Sequence, residues 1–280
     1  MEPTKLVTIF EWQNILSEFK NEHGRCETNC YLSENAVNEY ISCGRMSYIV
    51  KDDTLWMLEA ERGYDIAYYY VVRDKSISCI GNHPRKQILY LIGSEDKYRA
   101  QNREKQLIRG GYRKYRKNLE YFCDKEALNS LIRADRRFDR YLERFGFHYE
   151  WMMNDTEYDE LYELWRNRID QYSVKYAVPS TIQRLINNKE CMIVKDGCGE
   201  IVAACQYEIN NSRGFSENIA VAERYNGAGI GAVLLTHSVL FILEHAESDM
   251  TYVWEKNLES RRISEKFCRL TGRFSQQLIM

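Results

Sequence analysis

The sequence has almost no excess charge of either sign. Lys and Arg number 39 against 41 Asp and Glu, so bulk electrostatics give no support for nucleic acid as a partner. Paired cysteine spacing is missing too. The nine cysteines are odd in number and scattered. Cys26 and Cys30 come nearest to a ligand pair, but no second Cys/His pair follows at metal-site distance, which argues against zinc or any other metal. A disulfide framework fits equally poorly, and reduced thiols suit a cytoplasmic chain. The opening stretch MEPTKLVTIFEWQN has neither the basic flank nor the apolar core of a secretory signal. A membrane span is not expected either. The charge-free window Asn226–Leu243 reaches the minimal spanning length of roughly 18 residues. Yet it opens on a glycine cluster and carries Thr236, His237 and Ser238, so it reads as a buried helix.

What is present is enough chain for two ordinary domains: 280 residues, 44% of them hydrophobic. A faint repeat supports that count. SYIVKDDTLWMLEAE (47–61) and CMIVKDGCGEIVAACQYE (191–208) share IVKD, and each continues through a polar turn into a second strand-like run. Asp52-Asp53 and Asp196-Gly197 supply hairpin turn chemistry. Both hairpins follow two helical patterns, Thr8–Lys20 and Ser33–Cys43 in one half, Thr156–Gln171 and a shorter helix after Pro179 in the other. The first half then shows strands at Ile66–Val72, Gln87–Ile92 and Asn118–Phe122, with helices at Tyr98–Arg109 and Lys125–Arg144. The second continues as strand Phe215–Val221, helix Gly229–Ala246, strand Met250–Glu255, helix Leu258–Phe267 and strand Gly272–Leu278. Two α+β lobes are expected, 1–147 and 148–280, meeting near Phe145–Asp155.

The stretch VAERYNGAGIGAVLL (221–235) carries glycines at 227, 229 and 231 between a strand and a helix. Glycines let the backbone turn tightly, and a helix start offers unpaired N–H groups, so this is a candidate anion cradle. No Gly-Lys-Ser/Thr closes it, which excludes a P-loop. The spacing G-x-G-x-G, without an acid at the end of MTYVW, also fails the dinucleotide pattern.

The order V-x-x-x-Y-N-G-x-G-I-G-x-x-L-L resembles the pyrophosphate loop of the GNAT acetyltransferases, which bind acetyl-coenzyme A. The family's Arg/Gln-Gly-x-Gly-x-Gly/Ala falls on Asn226, Gly227, Ala228, Gly229, Ile230 and Gly231. The family commonly follows this helix with a strand ending in Asn, then a helix. VWEKNLESRRISEKFC supplies Asn257, with Ser260 three residues on. The resemblance covers roughly Asp155 to Met280. It implies an α+β fold with mixed, mostly antiparallel sheets flanked by helices. It also implies a donor, acetyl-CoA or another acyl-CoA, and an amine acceptor. By the same resemblance, the backbone N–H groups of Asn226 to Gly231 hold the pyrophosphate. Ile219, Ala220 and Val221 pair with the pantetheine arm, and an N–H near Val221 polarises the thioester carbonyl.

Three departures stand out. Asn226 replaces the usual Arg or Gln. Ser264 replaces a Tyr thought to protonate the leaving thiolate, and Cys268 replaces a Gly. Water or Tyr252 then remains as the proton donor, because Ser264 is a poor acid. Glu217, on the strand leading to Val221, is the candidate base, with an ordinary solvated carboxylate as the competing reading and Glu208 as an alternative. His237 lies on the apolar stripe and reads as a core histidine; His245 reads as a helix-end residue. In the first half, shifting the loop back by the 144 residues that separate the repeats lands on NHPRKQ (82–87), which has no glycine. GSEDKY (93–98) is acidic. The first lobe is therefore expected to be degenerate and not to bind coenzyme A. It carries KYRAQNREKQLIRGGYRKYRKN (97–118), nine Lys/Arg against one Glu with Tyr98, Tyr112 and Tyr115 interleaved. An anionic partner is one reading of this run, a solvated face and basic loop the other; acidic NDTEYDELYEL (154–164) could simply oppose it. The expected activity is N-acyl transfer. Alternatives are an aminoacyl-tRNA-dependent transferase of tandem GNAT-like fold and a non-catalytic acyl-CoA sensor.

Overall fold

The computed structural model describes residues 2–81, 83–94 and 98–280. They form two compact units, Met1–Lys117 with Arg273–Met280, and Asn118–Gly272.

The first unit opens with β1 (Thr4–Lys5), α1 (Ile9–His23), β2 (Cys26–Thr28) and α2 (Glu34–Ser42). Thr8 and Ser33 start the two helices, their hydroxyls accepting from the N–H of Glu11 and Ala36. The IVKD hairpin follows as β3 (Met46–Lys51) and β4 (Thr54–Ala60), turning at Asp52 in the left-handed region (φ 49°). Then come β5 (Tyr64–Val72), β6 (Lys86–Ser94) and α3 (Tyr98–Arg109). The sheet runs β1-β3-β4-β5-β6 and closes on the C-terminal residues Arg273–Ile279, all antiparallel except β5 with β6. Trp56, Tyr69, Leu89, Leu107 and Tyr112 anchor its core.

That parallel pair parts early. β5 and β6 pair only from Tyr64↔Lys86 to Ile66↔Ile88. β4 covers the other edge of β5 from Thr54↔Val71 to Ala60↔Asp65, so whatever else pairs with β5 must enter on the β6 side. β2 does so, antiparallel, from Cys26↔Val72 to Thr28↔Tyr70. Asn29 completes the filling: its amide nitrogen donates to Ala67 O (3.3 Å) and Tyr90 O (3.1 Å), and its oxygen accepts from Tyr69 N (2.6 Å). The gap between the two strands is occupied by the chain itself.

The second unit takes in β7 (Arg113–Asp124) from Asn118 onward, then α4 (Leu128–Arg144), β8 (His148–Trp151), α5 (Asp155–Arg168) and α6 (Pro179–Asn187). It continues as β9 (Cys191–Lys195), β10 (Ile201–Asn210), β11 (Arg213–Val221), α7 (Ile230–His245), β12 (Ser248–Trp254), α8 (Leu258–Ser264) and the start of β13 (Arg269–Ile279). Its strands run β8-β9-β10-β11-β12-β7, with β11–β12 the one parallel pair among them. The second hairpin turns on Asp196, whose carboxylate accepts from Cys198 N (3.0 Å) and Glu200 N (3.1 Å).

Residues 118–147, read from the sequence as part of the first lobe, lie in this second unit. β7 pairs with β12 from Asn118↔Trp254 to Asp124↔Ser248, and Leu131 and Leu142 of α4 pack into clusters shared with α7. That cover explains the charge-free window: α7 is buried on both sides, by sheet and by α4. Beneath it a Cβ on Gly214 would lie 2.0 Å from Ile242 Cγ2, so only glycine admits this close approach. No helix among the described residues is long and apolar enough to cross a membrane.

Candidate functional site

β11 carries a bulge. Ala204 pairs with Ala220 and Gln206 with Glu217, which leaves Asn218 and Ile219 opposite Cys205 alone. Asn218 takes the left-handed conformation this requires (φ 47°), and its amide reaches Gln206 Oε1 at 3.3 Å. A bulge bends its strand. On the other edge the parallel pairing with β12 stops at Ser216↔Thr251. Beyond that rung the edge of β11 facing β12 has no strand against it among the described residues.

Val221 ends this free edge. Ala222 N donates to Val202 O (2.7 Å), so by antiparallel alternation the next pair, Ala203↔Val221, is not hydrogen-bonded. The N–H and C=O of Val221 therefore turn away from β10 and toward the gap. The carbonyl is met by Arg168 Nε at 2.9 Å.

The glycine loop follows directly. A single 3-10 turn, Glu223–Tyr225, leads through Asn226 to Gly229, which precedes α7 in the left-handed region (φ 76°). Gly227 is also left-handed (φ 79°), whereas Gly231 is not; its Cα abuts Val221, a Cβ there lying 3.5 Å from Val221 Cγ2. Two N–H groups of the expected cradle are used internally, Asn226 N by Glu223 O and Ala228 N by Tyr225 O. Those of Gly227, Gly229, Ile230 and Gly231 have no protein acceptor among the described residues. Four free donors thus lie in the loop and the helix start that follows it. Tyr141 of α4 holds the loop, its hydroxyl donating to Ala228 O. A cavity of about 440 Å³ opens beside the first turn of α7, lined by Ser130 and Arg133 of α4, Ala232 of α7, Ile263 of α8, and Lys266 and Phe267 just beyond it.

On the sheet face opposite α7, the register sets Glu217 beside Tyr252, one position past the last parallel rung. The Glu217 carboxyl is pushed up to about 7, mainly by lost hydration, then by the charge of Glu208, with Lys175 and Arg184 pulling it down. The residue stays open to solvent while its surroundings crowd it, so that hydration is lost in part. Glu208 is less available as a base, since Arg184 Nη1 (3.1 Å) and Asn210 Nδ2 (2.9 Å) both donate to it. The Tyr252 hydroxyl donates to Glu120 Oε2 (2.5 Å), a buried carboxylate that also accepts from Thr271 Oγ1 (2.9 Å).

The other expected residues fall elsewhere. Asn257 caps α8, its oxygen accepting from Ser260 N (3.1 Å). Ser264 is buried in the last turn of that helix. Cys268 lies against Cys123, and that hydrogen bond together with burial pushes its thiol far up. His237 is packed between Asp135 (2.7 Å) and the Tyr149 ring, and His245 bonds to Phe241 O (2.8 Å). Of the basic run, Lys97 lies outside the described residues, as do Asn82 of NHPRKQ and 95–97 of GSEDKY. Arg103 is tied to Glu27 (2.9 Å), Lys114 to Glu104 (2.5 Å), and Lys117 covers the Phe274 ring. Tyr112 is core, donating to Gln87. All nine cysteines are free thiols, and among the described residues no group of three or more His, Cys, Asp or Glu converges. Sequence reasoning missed Arg168, Tyr141 and the Asn218 bulge. Only the basic last turn of α5 hinted at the first.

Residues 148–268 match the model of the acetyltransferase (GNAT) family. This segment is a member of the GNAT superfamily. The match takes in the bulged strand, the open edge, the glycine loop and α8. No curated protein matches the sequence, but solved GNAT structures share the fold. One is the glucosamine N-acetyltransferase region of a fungal multi-domain GH3 β-N-acetylglucosaminidase, at 12% identity and TM-score 0.61, covering 96% of this chain. This chain spans only 37% of that protein. A GCN5-related N-acetyltransferase from Sphaerobacter thermophilus is similar over 100% of this chain and 95% of its own, at 11% identity and TM-score 0.55. A tandem GNAT protein of the clavulanic acid biosynthesis pathway is similar over 100% and 98%, at 12% identity and TM-score 0.54. At these identities the likeness establishes an α+β fold with a mostly antiparallel sheet flanked by helices. Membership supports acyl transfer as the general activity, and the family typically draws on acyl-CoA.

Proposed function

We propose that the second unit transfers an acyl group, most simply acetyl, from acyl-CoA to a primary amine by direct attack. One observation carries the reading: an unpaired parallel-strand edge ends at Val221 and runs straight into a loop with four unpaired N–H groups. An extended amide-bearing arm joined to a pyrophosphate fits both parts. Acyl-CoA supplies a thioester, and each residue then has a defined task. Ile219 to Val221 offer backbone groups to the pantetheine arm, and Gly227, Gly229, Ile230 and Gly231 offer N–H groups to the phosphates. The N–H of Val221 polarises the acyl carbonyl. Arg133 and Lys266 beside α7 suit the phosphorylated nucleotide end.

Glu217 is assigned as the base that takes a proton from the acceptor ammonium. A carboxyl titrating near 7 is well matched to that task at neutral pH. The proton for the leaving thiolate is assigned to water, because Tyr252 is committed to Glu120 and Ser264 is buried. Domain roles follow the same logic. The first unit is a degenerate GNAT-like lobe that takes no acyl-CoA, since β2 and Asn29 already fill its gap. Free thiols fit a reducing compartment such as the cytoplasm.

The test is thiol release from acetyl-CoA across a panel of primary amines. Amine-dependent release is expected. Coenzyme A binding with no turnover on any amine would instead favour a non-catalytic acyl-CoA sensor.

A further inference from the structure

The glycine loop contains no cation pointing at its own N–H groups. Its first residue, Asn226, is neutral, and Arg224 is drawn off to Glu200 and Asp196 (3.4 Å) on the β9–β10 hairpin. A doubly charged diester held by neutral N–H groups alone forgoes the stronger charge-assisted bonds.

Arg168 stands where such a charge is needed. It occupies the last residue of α5, where the helix dipole favours a cation. Its Nε donates to Val221 O (2.9 Å) and its Nη2 to Asn226 Oδ1 (2.8 Å). The two bonds fix the plane of the guanidinium between the end of the open strand and the start of the loop. The remaining nitrogen, Nη1, lies 3.9 Å from Glu223 Oε2, whose side chain is 86% exposed and so a weak competitor.

We propose that Arg168 is the positive charge of the anion cradle, oriented from α5 by Asn226 and by the Val221 carbonyl. It acts as a positioning residue for the donor at both ends. Its charge serves the pyrophosphate, and its bond to Val221 holds the residue whose N–H faces the thioester. Asn226 then acts as the bracket that aims a guanidinium contributed by another helix. This inference rests on the acyl-CoA reading above.

Calorimetric titration with coenzyme A at low and high salt separates the two. Wild type is expected to bind, more weakly as salt rises. Arg168→Ala should bind at least ~10-fold more weakly and with a flatter salt dependence, the loss of one charge-assisted contact. Arg168→Gln, which keeps a donor for Asn226 or Val221 but not the charge, should follow Arg168→Ala. Adding Asn226→Arg to Arg168→Ala should restore most of the affinity by supplying the guanidinium from the loop. Thermal unfolding of each variant confirms that it is folded. If wild type binds and folded Arg168→Ala binds equally well, or keeps the wild-type salt slope, the inference fails while the acyl-CoA reading stands. If wild type does not bind coenzyme A, the underlying reading fails.

Discussion

The two units each contain a parallel strand pair that separates, and they treat the resulting gap in opposite ways. β5 and β6 part after three rungs, and the chain fills the gap with β2 and the Asn29 amide. β11 and β12 part after four rungs, and among the described residues no strand enters the gap; only Arg168 reaches its far end, at Val221 O. Backbone groups facing such a gap must find partners. Where the chain supplies them, no ligand is called for; where it does not, an extended ligand is. The sequel differs in the same sense. β11 runs into the glycine loop and α7, whereas the described residues of 73–85 after β5 form no helix. Each closed end also holds a buried aspartate. Asp65 lies against Arg85 (2.7 Å) and His83 (3.5 Å), while among the described residues Asp249 meets Ser216 Oγ (2.9 Å) and backbone donors.

The largest expected effect breaks the chemistry of the open gap alone. Glu217→Gln should lower kcat/KM by about 10²- to 10⁴-fold while leaving coenzyme A binding intact. In wild type, kcat/KM should rise with pH to a plateau, through about 7, as the carboxyl loses its proton. A profile that is flat from pH 5.5 to about 8.5 would remove Glu217 from the base role.

The next contrasts the buried aspartates. Burial raises Asp249 to about 6, so its protonated form favours the fold. That contribution is whole below about 3.8 and is lost as pH rises through about 6. Asp249→Asn should therefore stabilise the protein at pH 8 by up to about 3 kcal/mol, with little gain at pH 4, as read by urea unfolding. Asp65→Asn should stabilise the protein less than Asp249→Asn at pH 8, because the Arg85 charge offsets part of the cost of its burial.

A similar or smaller effect is expected from the filled gap. Asn29→Ala removes three hydrogen bonds and should cost about 2–3 kcal/mol of stability. Coenzyme A affinity should not change. A gain of a second binding site in this variant would mean that Asn29 alone blocks the first gap.

Local features of the fold were legible because they are written in neighbouring residues. Thr8, Ser33 and Pro179 mark helix starts, IVKD with its polar turns marks both hairpins, and the glycines at 227 and 229 meet a need for left-handed backbone. What escaped depends on residues far apart in sequence. Arg168 and Asn226 are joined only by packing, as are Tyr141 and Ala228, and Tyr252 and Glu120. The bulge at Asn218 shows only in the register with β10. The placement of 118–147 likewise follows from β7 pairing with β12, a contact no local pattern announces.

The most direct test of the difference between the gaps is the stoichiometry of coenzyme A binding by calorimetry, with Gly229→Val alongside wild type. A β-branched residue cannot take up the left-handed conformation at 229 without strain. One coenzyme A per chain, lost in Gly229→Val, is the predicted result. Two per chain, or a single site that survives the substitution, would contradict the assignment of the filled and open gaps.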